Sequence, residues 1–223
     1  MVHYICVDFQ ALNKITKKNW YPLPLLTNLL DAPQKARVYT HLDLWHAYHL
    51  VCIHKGDEHK TAFQTHYGSF EWLVMPIGLT NAPATFQHFV NNIFSDMLNV
   101  CVLIYLDDIL IYSNSMEEHC KHVWEFFWCL WKHGLYAWED KCKFHKTELK
   151  FLGFILTQDG LKMSQDKVKV ILDWPELWKV WDIQSFLGFC NFYQCFIDSY
   201  STITVPLTCL THKSTLWNPD NKC

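Results

Sequence analysis

Two adjacent carboxylates, Asp107 and Asp108, interrupt a run from Val102 to Tyr112 that is otherwise aliphatic or aromatic. Like charges side by side among apolar residues are costly unless a cation neutralises them. Carboxylate oxygens are hard donors, the ligands that Mg²⁺ and its relatives take. A third carboxylate, Asp43, stands near the end of another apolar run, Val38 to Leu44. Three carboxylates on one sheet edge can hold two divalent ions about 4 Å apart, which activates an attacking oxygen and stabilises a leaving phosphate oxygen. Taken alone, an Asp-Asp pair is equally the tip of a solvated turn whose side chains cap backbone groups.

The elements that must position these groups follow from periodicity. Val102 to Leu106 and Ile109 to Tyr112 have the composition of buried strands, and the Asp-Asp pair suits the tight turn between them. Val38 to Leu44 reads as a strand that can lie beside that hairpin. A shorter apolar run, Tyr4 to Phe9, reads as a strand leading to a turn. Lys60 to Thr65 and Phe70 to Met75 read as paired strands around Tyr67-Gly68. Pro83 fits the first turn of a helix from about Ala82 to Leu98, with Phe86, Phe89, Val90, Ile93, Phe94 and Met97 on a 3.6-residue period. A second amphipathic helix, Ser115 to His133, has Ser115 at its N-cap and Gly134 past its end. Its Trp124, Trp128 and Trp131 read as core. Phe151 to Leu156 reads as one further strand. The chain is helical from Ser164, with a break at Trp174-Pro175 and a new helix from Asp182. The result is an α+β class fold with helices on one sheet face.

The composition narrows the function classes. No apolar run approaches the roughly 18 residues of a membrane span, and the first ten residues lack the pattern of a signal peptide. Ten cysteines without a C-x-x-C pair suit reduced thiols in an intracellular protein. The His119-Cys120-x-His122 cluster lacks the second ligand pair of a zinc site. Of nineteen basic residues only Arg37 is an arginine, beside eleven Trp, thirteen His and ten Cys. Selection for a fold does not obviously trade Arg for Trp. C-to-T changes in CGN codons do, turning Arg into Trp, Cys, His or Gln, so the composition suggests a gene that has lost CpG dinucleotides.

Five linked segments carry a family likeness: Cys6 to Lys14 (CVDFQALNK), His41 to Tyr48 (HLDLWHAY), Met75 to Gln87 (MPIGLTNAPATFQ), Tyr105 to Asp108 (YLDD) and Phe151 to Gly153 (FLG). Their order and spacing resemble reverse transcriptases, above all the gypsy-type long-terminal-repeat retrotransposon polyprotein. The resemblance implies a right-hand polymerase, with partial fingers over 1–38, palm over 39–51, fingers over 52–79, palm over 80–157, and thumb with the start of the connection over 158–223. It implies RNA-directed DNA polymerisation, with Asp43, Asp107 and Asp108 as catalytic carboxylates and ligands of two Mg²⁺ ions (or Mn²⁺). Tyr48 would exclude ribonucleotides, although a core tyrosine has the same pattern. Gln10, Gly78, Asn81, Ala82 and Pro83 would line the nucleotide site. Leu152 and Gly153 would grip the primer. Lys141 would protonate the departing pyrophosphate, or be a solvated lysine. The implied partners are a primer on an RNA or DNA template, a dNTP, and the ribonuclease H and integrase domains of a parent polyprotein. The implied location is cytoplasmic, in a retrotransposon particle, or nuclear.

The departures matter as much. The family usually has arginine at Tyr4 and Gln10. It usually has arginine or another polar residue at Trp20, Trp45, Cys52, Trp124, Trp128, Cys129, Trp178, Trp181, Cys195 and Cys209. Two readings therefore stand: a polymerase domain weakened by arginine loss, and a non-catalytic retrotransposon-derived protein that binds nucleic acid or a partner. A third, an unrelated divalent-metal phosphotransferase on a palm-like fold, does not account for all five segments.

Overall fold

In a computed structural model, residues 6–45 and 47–211 are described, with the side chains of residues 26–28 excepted. Tyr4 and His46 lie outside the described residues, as does the chain beyond 211. Two compact units divide the chain: residues 1–152 with 156–160, and residues 153–155 with 161–223.

The first unit begins with helices α1 (Gln10–Ile15) and α2 (Leu26–Asp31), then strand β1 (Val38–Asp43). A short hairpin, β2 (Phe63–Thr65) and β3 (Gly68–Phe70), precedes helix α3 (Ala82–Ile93). Strands β4 (Val102–Tyr105) and β5 (Asp108–Ser113) then lead to helix α4 (Met116–Lys132) and strand β6 (Lys143–Lys146). Strands β7 (Glu148–Phe151), β8 (Phe154–Thr157) and β9 (Gly160–Met163) form a three-stranded sheet in chain order. Helices α5 (Gln165–Leu172), α6 (Val180–Phe192) and α7 (Tyr200–Cys209) belong to the second unit.

The central sheet has the order β4-β5-β1-β6, with β1 antiparallel to β5. Successive strand residues point to opposite faces. Leu42, Ile109 and Ile111 therefore share one face, where they meet Phe86 and Val90 of α3, its C-cap Phe94, and Phe126 and Leu130 of α4 in a single buried cluster. Phe94 and Phe126 stack with centroids 4.4 Å apart and lock the two helices together. On the opposite face Tyr39 is fully buried, and its hydroxyl donates within reach of the carbonyls of Pro33, Ala36 and Thr157. Burial on both faces explains why β5 reads as a continuous apolar run rather than an alternating one.

Several boundaries differ from the sequence expectation, each for a local reason. Residues 6–9 carry no strand. The Asp8 carboxylate instead accepts from the Gln10 N–H, and the Phe9 carbonyl accepts from Asn13, opening α1. The β2–β3 turn is His66-Tyr67, one residue early, and both strands are short. The expected strand Phe151 to Leu156 is a hairpin, because Leu152 and Gly153 both have positive φ, 49° and 87°, the pattern of a type I′ turn. Helix α3 stops at Ile93, and the chain turns through Asn99 at φ 60°.

Helix α4 begins as expected, the Ser115 hydroxyl accepting from the Glu118 N–H and Gly134 at φ 66° following its end. Its inward stripe, however, is His119, Phe126 and Leu130. Trp124, Trp128 and Trp131 are solvent-facing, 65%, 52% and 71% exposed, and stack on one another with centroids 5.9 and 5.0 Å apart. These tryptophans are not core, because the 3.6-residue period puts them on the opposite side of the helix from Phe126.

Buried beneath α4, His119 bonds through Nε2 to Thr40 Oγ1 at 2.7 Å and through Nδ1 to Ser113 Oγ at 2.9 Å. Ser113 Oγ also meets His122 Nδ1, and the His145 ring abuts His119 edge-on. Burial, then the nearby His145 and His122, pushes the His119 pKa down from 6.5 to about 4. A depressed base keeps the folded state neutral while the unfolded chain takes up a proton. Stability contributed by neutral His119 is therefore whole above pH 6.5 and is lost progressively down to about pH 4, by up to about 3 kcal/mol. Chemical denaturation across that window should show this loss, and His119→Gln should flatten it while lowering stability at pH 7.5. An unchanged pH slope in the variant would show that His119 does not carry the effect.

Candidate active site

The sheet register brings two of the three carboxylates face to face. Asp43 ends β1, Asp108 begins β5, and they are direct cross-strand partners. Such pairs lie on the same sheet face, where opposed like charges are destabilising. Each is partly relieved by a nearby base: Lys141 Nζ donates to Asp43 Oδ2 at 3.1 Å, and His41 Nε2 meets Asp108 Oδ1 at 2.9 Å. Asp107 lies between the strands. Burial holds its carboxyl above the usual range, the charges of Asp108 and Asp43 adding to the rise while its own backbone N–H and Lys141 oppose it.

The turn is Leu106-Asp107, since Tyr105 pairs with Asp108, so the expected Asp107-Asp108 turn sits one residue too late. Leu106 has φ 55° and Asp107 has no positive φ, the pattern of a type II′ connection, whose first central position favours Gly. A leucine held there stores strain of order 1–3 kcal/mol, and such strain persists only where the surroundings over-determine it. Gln87 supplies that constraint. It is fully buried on α3, its Oε1 accepts from Leu106 N–H at 2.8 Å, and its Nε2 donates to Asn91 Oδ1 and, at 3.3 Å, to the Ile104 carbonyl. Asn91 in turn donates to the Tyr21 hydroxyl at 2.9 Å.

Lys141 is delivered by a second backbone junction. The Trp138 N–H donates to the Asp43 carbonyl and the Trp45 N–H to the Tyr136 carbonyl, so the segment before Lys141 runs antiparallel to the end of β1. The ammonium also lies 5.3 Å from the centre of the Trp138 ring. Tyr48 is half-buried against Phe86, with centroids 5.3 Å apart. Burial raises its pKa, and the charges of Asp107 and Tyr105 add to the rise.

The remaining candidates form a neighbouring wall. Gly78 has φ 104°, and a side chain there would meet Phe9 at 3.5 Å. Its carbonyl accepts from Asn13 Nδ2, whose Oδ1 accepts from the Thr80 N–H, both at 2.8 Å. Asn81 repeats the device, accepting from Asn19 N–H and donating to the Lys17 carbonyl. Asn81 and Ala82 line a cavity of about 390 Å³ that Tyr48, Gln10, Gly78 and Pro83 do not line. Gln10 is an exposed residue at the start of α1, and Leu152 and Gly153 are the two turn residues between β7 and β8.

The donor chemistry fits a divalent cation: three carboxylates at one end of two paired strands, one of them held above its normal pKa. Among the described residues, however, no three His, Cys, Asp or Glu side chains converge as a ready-made ligand set. An ion would have to draw Asp43 from Lys141 and Asp108 from His41. Sequence reasoning singled out neither His41 nor Gln87 as a site residue. The signal for Gln87 was present: a lone amide on the apolar stripe of α3, between Phe86 and Val90.

Comparisons with known proteins show what the chain is similar to. A family model described as reverse transcriptase (RNA-dependent DNA polymerase) matches residues 1–156. The transposon Tf2-3 polyprotein of Schizosaccharomyces pombe is 41% identical over 211 residues, 95% of this chain and 16% of that polyprotein. The transposon Tf2-7 polyprotein of the same organism matches to the same extent. Among solved structures, a foamy viral protease-reverse transcriptase in complex with dsDNA matches with a TM-score of 0.83 and 25% identity, over 95% of this chain and 45% of that one. The same viral protein in complex with an RNA/DNA hybrid matches with a TM-score of 0.78 and 24% identity, over 95% and 29%.

Because Gln87 holds the strained turn, Gln87→Leu should cost about 1–3 kcal/mol, the penalty of leaving the half-buried Leu106 N–H unpaired. Adding Leu106→Gly to that variant should recover part of the loss by removing the strain. Denaturant unfolding of the single and double variants measures both. Equal stability of wild type and Gln87→Leu would remove the amide from this role.

Proposed function

We propose that this chain, which belongs to the reverse transcriptase (RNA-dependent DNA polymerase) family, joins a nucleotide to a primer 3′ hydroxyl at Asp43, Asp107 and Asp108. It has the α+β right-hand polymerase fold and is related to gypsy-type retrotransposon polyproteins. The observation that carries the reading is the Asp43–Asp108 register with Asp107 at the adjoining turn.

In this reading the three carboxylates hold two divalent ions, Mg²⁺ or Mn²⁺. Bound there, such ions stabilise charge on a transferring phosphoryl group and acidify an attacking hydroxyl. Lys141, released from Asp43, is placed to give a proton to departing pyrophosphate. Tyr48 stands against the sugar and rejects a 2′ hydroxyl by steric exclusion. Gln10, Gly78, Asn81, Ala82 and Pro83 shape the nucleotide and template floor, and the Leu152-Gly153 turn supports the primer. Residues 1–38 and 52–79 act as fingers, 39–51 and 80–157 as palm, and 158–223 as thumb with the start of the connection. Template, primer and dNTP are the substrates, and ribonuclease H and integrase domains of a longer polyprotein are the expected neighbours. The setting is intracellular; among the described residues no helix is long and apolar enough to cross a membrane.

A second reading is a protein that binds without catalysis. Its support is the single arginine, the net charge of −3 and the exposed tryptophans at positions where the family is usually polar, including Trp20, Trp45 and Trp178. Lysine is a poorer bidentate phosphate partner than arginine, so duplex affinity suffers.

Primer extension with purified chain, Mg²⁺ and dNTPs separates the two. Template-dependent extension should occur and fall by at least about a hundredfold in Asp107→Asn, a loss in keeping with removal of charge stabilisation. Millimolar Mg²⁺ should also raise the melting temperature of wild type but not of Asp107→Asn. Binding of primer-template without extension by wild type would establish the second reading instead.

If extension is observed, Tyr48→Ala should raise ribonucleotide incorporation relative to deoxyribonucleotide, chiefly through kcat/KM for the ribonucleotide. An unchanged ratio would remove Tyr48 from sugar selection.

A further inference from the structure

The second unit carries an open groove of about 1000 Å³, lined by α5, the loop after it and the start of α6. Three tryptophans, with Val170 and Pro175, supply its apolar surface. Trp174 is anchored, its ring meeting Phe186 at 5.3 Å and Phe189 at 5.4 Å between centroids. Trp178 and Trp181 are 62% and 72% exposed.

The charges that share this groove are nearly all of one sign. Asp166, Asp173, Glu176 and Asp182 line it against a single cation, Lys169. Asp182 is committed to the helix start, its Oδ2 accepting from the N–H groups of Trp178 and Lys179 at 3.0 and 2.9 Å. Asp173 is different. It is the C-cap of α5, where the helix dipole is negative and a carboxylate is disfavoured. Glu176 follows one turn of chain later. Both are exposed, and among the described residues neither forms an ion pair.

Indole faces attract cations, most strongly arginine and quaternary ammonium groups, and carboxylates nearby add to that attraction. The same carboxylates repel phosphate. We propose that this groove docks a basic peptide segment, an arginine or lysine of which lies over Trp178 and Trp181 while Asp173 and Glu176 hold its charge. A cation there relieves the unfavourable carboxylate at the end of α5 and covers two exposed indoles at once. The assignment is independent of the carboxylate site of the first unit and does not rest on polymerase activity.

The test is fluorescence anisotropy of the full chain with a fluorescein-labelled hepta-arginine peptide, using hepta-glutamate as the control. Binding should weaken with added salt and should fall about tenfold in Trp178→Ala/Trp181→Ala. It should fall comparably in Asp173→Asn/Glu176→Gln, whose melting temperature should not drop. The carboxamide pair alters only exposed side chains, so it decides the matter if the tryptophan variant does not fold. Affinity unchanged in the carboxamide pair overturns the proposal. Direct binding of a fluorescein-labelled DNA duplex that is lost in Trp178→Ala/Trp181→Ala overturns it in favour of a nucleic-acid surface. A dimer that forms through Trp178 and Trp181 and excludes the peptide overturns it in favour of a second copy of the chain.

Discussion

The backbone ladder between β1 and β5 fixes everything the first unit can do. Its register places Asp43 against Asp108, and a slip of one residue would turn every side chain of one strand to the other face. Leu42 would leave the cluster with Phe86 and Phe126, and Tyr39 would leave its three carbonyls. The apolar residues on both faces thus hold two carboxylates opposite one another against their mutual repulsion. His41 and Lys141 soften that repulsion from either side without removing it, and partial burial holds the Asp107 carboxyl above its ordinary range.

Much of this was legible in the residues because burial leaves periodicity. The stripe Phe86, Val90 and Phe94 located α3, and the Ser115 cap and Gly134 bounded α4 within a residue. The three aspartates and their strands were likewise readable, as each interrupts or ends an apolar run. What could not be read depends on contacts distant in sequence. The Leu106 turn is set by Gln87, nineteen positions earlier, and nothing local to a leucine announces a positive φ. Gly153 read as part of a strand, whereas Leu152 joins it in left-handed backbone and folds the segment into a hairpin. Trp124, Trp128 and Trp131 were misplaced because hydrophobicity was taken as burial, although the helical period already set them opposite Phe126.

The tryptophans show how one residue type serves different physical ends in this chain. Trp174 packs among phenylalanines, and Trp138 meets both Trp45 and the Lys141 ammonium near the carboxylates. The α4 ladder does neither: it stacks on itself in water, with Trp124 and Trp128 only 6° from parallel. Self-stacking hides part of each indole but leaves a continuous apolar strip, which favours association between molecules. Arginine in those places would have kept the surface wet and positive.

The carboxylate turn also shapes how the molecule reaches its final form. Strands β4 and β5 are neighbours in sequence and can close as a hairpin within about 1–10 μs. Strand β1 joins them only after the chain has looped back, since His41 and Asp108 are 67 residues apart. The hairpin can therefore form before its carboxylates meet a third. The electrostatic cost enters with the docking of β1, making that late step, rather than the local hairpin, the one whose speed responds to counterions in solution.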